Sequence, residues 1–71
     1  MTKRFKVGDK VRMLDKDSVF AADATINGET YTVIEVYFDG DIRIDDKSGG
    51  YPLLINESEF HAIEKLTGAI R

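Results

Sequence analysis

Apolar and polar positions alternate on both sides of an acidic, glycine-bearing turn in Glu29–Asp46, ETYTVIEVYFDGDIRIDD, and a period of two is the signature of paired strands. A two-residue Asp39-Gly40 turn would pair Tyr37 with Ile42 and Glu35 with Ile44. It would set the apolar series Thr32, Ile34, Val36 and Phe38 on the face opposite Ile42 and Ile44, which a half-buried sheet does not tolerate. A three-residue loop, Phe38-Asp39-Gly40, with Gly40 in the left-handed position of a bulge, pairs Val36 with Ile42 and Ile34 with Ile44, and brings Glu35 beside Arg43. The bulged loop therefore predicts a core face of Ile34, Val36, Ile42 and Ile44. The opposite face then carries Tyr31, Val33, Glu35, Tyr37 and Arg43.

The same alternation places the other elements. A turn at Val7-Gly8-Asp9 leads into a strand over Lys10–Leu14, with Val11 and Met13 on an apolar face and Lys10 and Arg12 on a basic one. Asp15–Gly28 is irregular and long for a connection, with Val19-Phe20 as an anchor onto the core and Asn27-Gly28 as the closing turn. After a second turn at Lys47-Ser48-Gly49-Gly50, the apolar run Tyr51–Ile55 contains Pro52. Proline cannot donate to a ladder, so this strand is bent, bulged or at an edge. Asn56 with Glu59 three positions on starts a single 3-10 turn, and a short last strand, His61–Lys65, turns Ile63 inward. Residues 67–71 are expected to be a frayed tail.

Five short strands, a long loop after the first and one short 3-10 turn before the last describe an all-β fold, a small SH3-like five-stranded barrel. The phrases GDKVRML (8–14), GETYTVIEVYFDGDIRI (28–44) and SEFHAI (58–63) resemble the small SH3-like barrels found as KOW-type modules, as photosystem accessory subunits and as short uncharacterised proteins of bacteriophages and mobile elements. The resemblance spans residues 6–65, is nearest to the phage-type proteins, and implies a barrel fold without implying an activity. KOW-type modules that bind RNA are usually basic; this chain is acidic.

Seventy-one residues make one domain, 1–71, with its core within 6–66, and the absence of cysteine removes disulfides and cysteine-based zinc sites. No apolar run reaches the length of a membrane span and no signal-peptide pattern follows Met1, so the expected location is the cytoplasm. The net charge of −3 is unevenly spread. Residues 1–12 carry Lys3, Arg4, Lys6, Lys10 and Arg12 against Asp9 alone, whereas residues 13–71 carry twelve acidic groups against five basic ones.

These distributions suggest several functions. Tyr31, Val33, Tyr37 and Tyr51, joined by Phe20 from the long loop, make a candidate protein-binding face, since exposed tyrosines bury much area while keeping a polar tip. The alternative is that residues 15–28 fold over this face and add it to the core. Lys3, Arg4, Lys6, Lys10 and Arg12 are candidate phosphate contacts for a KOW-like nucleic-acid-binding module, with Phe5 or Tyr31 stacking on bases. The carboxylates of residues 39–46 could instead imitate a phosphate backbone and inhibit a host nucleic-acid enzyme. Asp39, Asp41, Asp45 and Asp46 diverge along a strand and have no EF-hand spacing, so no metal site is expected. His61 has no nucleophile to serve, so no catalysis and no cofactor are expected either. The partner expected is a protein; the oligomeric state stays open, with an edge near Pro52 able to support a dimer.

Overall fold

The computed structural model describes residues 4–47 and 49–66. Lys3, Ser48 and the tail 67–71 lie outside the described residues. The architecture is one five-stranded antiparallel sheet of β1 (Lys10–Met13), β2 (Thr30–Val36), β3 (Ile42–Asp45), β4 (Leu53–Ile55) and β5 (Ile63–Leu66), in the order β4-β3-β2-β1-β5. Two short 3-10 helices accompany it, Lys16–Ser18 in the long loop and Glu57–Ala62 between β4 and β5. Among the described residues no helix is long and apolar enough to cross a membrane.

The hairpin loop has the expected form. Tyr37 N–H donates to the Asp41 carbonyl at 2.8 Å and Gly40 N–H to the Tyr37 carbonyl at 3.0 Å, with Gly40 at φ +102°, a backbone region that favours glycine. Val36 pairs with Ile42 and Glu35 with Arg43.

Beyond Glu35 the register departs from expectation: Val33, not Ile34, pairs with Ile44, and Ile34 is the extra residue of a β-bulge. The reason is a conflict of parity. On its other side β2 pairs with β1, where Val11 lies opposite Tyr31, and Gly8 and Asp9 continue that ladder by exchanging 2.8 Å bonds with Val33. Val11 is fully buried, so β1 demands that the odd positions Tyr31 and Val33 point inward, whereas the hairpin loop demands an inward Val36. One inserted residue satisfies both. Tyr31 and Val33 are therefore core residues, 3% and 0% exposed, and Ile34 is 40% exposed, the reverse of the expected facing.

The long loop folds over the core, the alternative left open by the sequence. Val19, Ala22 and Thr25 are buried, and Ile26 N–H donates to the Tyr31 hydroxyl at 3.0 Å. Val19 is the anchor; its neighbour Phe20 points out instead. All the buried apolar residues form one cluster, drawing on Leu53 and Ile55 from one edge strand and Ile63 from the other. Phe5 belongs to it, packed edge-on against Phe60 with ring centroids 4.8 Å apart.

The second 3-10 helix begins as the Asn56–Glu59 spacing predicts, Glu59 Oε1 accepting from Asn56 N–H at 2.9 Å. Its other carboxylate oxygen accepts from Phe20 N–H at 2.9 Å, tying the long loop to the segment that joins the edge strands. β5 starts at Ile63 and not at His61, because the 3-10 helix continues through Ala62.

Candidate functional site

Loop and edge strand meet at a groove of about 340 Å³. Phe20 and Ala21 form one wall, Tyr51, Pro52, Leu53, Leu54 and Asn56 run along the other, and Arg43 and Asp46 complete it. Phe20 and Tyr51, thirty-one positions apart, are 83% and 93% exposed. Ala21 holds the loop there with φ +63°, a conformation that costs a residue with a Cβ about 1–2 kcal/mol. Strain of this kind persists only where the surrounding structure enforces it, and here the Glu59 bond to Phe20 N–H does so.

Arg43 is held from several sides. Its Nε donates to the Tyr37 hydroxyl at 2.7 Å and its Nη1 to the Pro52 carbonyl at 2.8 Å, while the Tyr37 hydroxyl donates to Glu35 Oε1 at 2.9 Å. Glu35 itself lies 3.9 Å from Arg43 Nε. The guanidinium is thus a brace between β2, β3 and the start of β4, with its charge compensated by Glu35.

Of the five candidate protein-binding residues, the structure brings Phe20 and Tyr51 to one groove and connects Tyr37 to it through Arg43. Tyr31 and Val33 are in the core and offer no surface; the Tyr31 ring is further covered by Lys47, whose Nζ lies 5.5 Å from its centroid. Arg43 was expected on the face of the tyrosines but without a role there, and Leu54 and Asn56 were not expected at such a site. Phe38, 94% exposed at the hairpin tip, is a further exposed aromatic.

The basic residues gather toward the other edge of the sheet, around β1 and β5, and most are engaged. Arg12 pairs with Glu64 at 3.2 Å, Lys10 Nζ donates to the Thr32 hydroxyl at 2.7 Å, and Arg4 sits over the Phe60 ring at 5.1 Å. Lys65 Nζ lies 3.5 Å from the Asp9 carboxylate and donates to the Arg4 carbonyl at 2.9 Å. The rings suggested for base stacking, Phe5 and Tyr31, are buried.

Two of the hairpin carboxylates, Asp39 and Asp45, serve local turns, and Asp41 reaches the start of the second 3-10 helix. Asp39 accepts from Asp41 N–H, Asp45 from Lys47 N–H, and Asp41 from Glu57 N–H. Among the described residues there is no group of three or more His, Cys, Asp or Glu that could hold a metal ion. His61 is exposed on the second 3-10 helix.

The segments around the groove are strongly acidic. Residues 15–28 and 39–59 together carry nine carboxylates against Lys16, Arg43 and Lys47. No protein-family model matches the chain, and no curated protein or solved structure matches it either.

Proposed function

We propose that the chain is a non-enzymatic interaction module built as a small SH3-like barrel, and that it binds a segment of a protein partner in the groove between Phe20 and Tyr51. The barrel reading is supported by the strand order, by edge strands that feed one core, and by the 3-10 turn that bridges them. The observation that carries the binding reading is the pair of almost fully exposed aromatic residues that line one groove. Isolated exposed apolar side chains need no explanation, but aromatic rings brought together from distant parts of a chain are the composition of an interface centre.

Size narrows the occupant. At about 340 Å³ the groove is at the small end of the range, about 300–1,000 Å³, used by compact ligands. It suits a few side chains of an extended segment. The basic face, already engaged in internal pairs, is less favoured as a nucleic-acid surface.

The test is selection of displayed random peptides on the immobilised protein, followed by affinity measurements on Phe20→Ala and Tyr51→Ala. Both side chains are exposed, so the fold is expected to survive, as circular dichroism will check. Each change is expected to weaken the selected peptides at least about tenfold. Peptides that bind the double variant as well as the parent would place the site elsewhere.

A further inference from the structure

We propose that the occupant of this groove is an extended, lysine- or arginine-bearing segment that adds as an extra strand to the free edge of β4. The inference rests on the groove reading above and adds the ligand's conformation and charge.

The conformation follows from the sheet. β4 pairs with β3 on one side, and no strand pairs with its other side among the described residues. The groove wall is this strand and its approach, Tyr51 to Leu54, with the Phe20–Ala21 turn opposite. A segment lying there meets a strand edge, and its lowest-energy form is another strand about 4.8 Å away, with alternate side chains entering the space between the two rings. Pro52 precedes the strand, so its missing N–H leaves the Leu53–Ile55 amides outside the restriction.

The charge follows from the walls. The surrounding segments carry a threefold excess of carboxylates over cations, and the groove's own cation, Arg43, is compensated by Glu35 and held by Tyr37 and Pro52. Glu59 stands at the Phe20 wall, and Asp45, exposed, lies at the end of β3 beside β4. Such a field repels an acidic segment or a nucleic acid and attracts a basic one, and the faces of Phe20 and Tyr51 accept a cation as readily as an apolar group. A second copy does not supply such a strand: β4 and its approach are uncharged, and the basic strand β1 is already paired on both sides.

The test uses the full chain labelled with ¹⁵N and three capped heptapeptides. One is Thr-Lys-Val-Arg-Val-Lys-Thr, the second has glutamate at each cationic position, and the third is the first with alternate backbone nitrogens methylated so that it cannot pair as a strand. The cationic peptide is expected to bind about tenfold more tightly than the acidic one, the effect of two or three exposed charge contacts, and to weaken with salt. It is also expected to slow amide exchange in Leu53–Ile55, and the methylated peptide to lose at least about tenfold. Equal binding of the acidic or the methylated peptide overturns the inference. If that binding still requires Phe20 and Tyr51, the groove reading stands; if it ignores both changes, the groove reading falls as well. Binding by none of the three, or β4 protection that appears with protein concentration alone in a sedimenting dimer, also overturns the inference.

Discussion

Replacing Val33 and Ile34 by threonine, one at a time, separates the bulged register of β2 from an uninterrupted alternation. Val33 is fully buried and Ile34 is 40% exposed. Threonine keeps the β-branched shape of valine, so Val33→Thr changes little volume and mainly buries a hydroxyl, which costs about 1–3 kcal/mol without a partner. Ile34→Thr removes about one methyl-sized group from a position with solvent access, and its hydroxyl can reach water. Its cost should stay below about 1 kcal/mol. A domain of this size has roughly 4–10 kcal/mol in total, at about 0.05–0.15 kcal/mol per residue, so the first change consumes a substantial fraction. Urea unfolding followed by circular dichroism and tyrosine fluorescence resolves the difference, because similar m values leave the midpoints directly comparable. Ile34→Thr proving more destabilising than Val33→Thr would refute the bulge and restore the simple alternation.

Three further changes test other parts of the structure. Glu59→Ala removes the acceptor for both Asn56 N–H and Phe20 N–H and is expected to cost about 1–3 kcal/mol, with faster exchange of the Phe20 amide; unchanged exchange there would mean that the loop is held by something else. Gly40→Ala forces a Cβ into a φ of +102° and to 3.0 Å from Glu57 Oε2, whose flexible end can move away, so the expected loss is the backbone term of about 1–2 kcal/mol, read as a lower thermal midpoint. Tyr31→Phe keeps the buried ring but leaves Ile26 N–H without its acceptor, an expected loss of about 1 kcal/mol in the same unfolding assay.

Much of the fold could be read from local pattern. The Phe38–Gly40 loop followed from matching apolar faces and the start of the second 3-10 helix from Asn56 and Glu59, and the edge position of β4 was one of the three options that Pro52 left open. The bulge at Ile34 could not be read that way. It arises because β2 must satisfy two neighbours, and the hairpin pattern contains information about one of them. Val11 and Met13 marked β1 as amphipathic, but which of its residues meets Tyr31 is a long-range fact that no local window carries.

The candidate site was legible in composition and not in arrangement. Tyr37 and Tyr51 were visible as aromatic residues without an assigned place in the core and Phe20 as half of an anchor onto it; Phe20 and Tyr51 line one groove with Arg43, which is bonded to Tyr37. Tyr31 and Val33 were assigned to the same face by the slipped register. The outward turn of Phe20 had no signal: Val19 and Phe20 read as one anchor, and the left-handed turn that follows them falls on an ordinary alanine, Ala21.

Lys65 gives the sheet a polarity of another kind. It stands on edge strand β5 opposite the buried Val11, an inward register position, and reaches the Asp9 carboxylate, the Arg4 carbonyl and the Phe5 ring. The side chain stays exposed, and a lysine on an edge strand is a device that discourages another chain from pairing there. The edges are therefore unequal: β5 carries Glu64 and Lys65, and β4 carries no charge. Under the strand addition proposed above, a copy of this chain has one edge open to a guest and not two, which favours one guest per chain over a fibre of the chain itself.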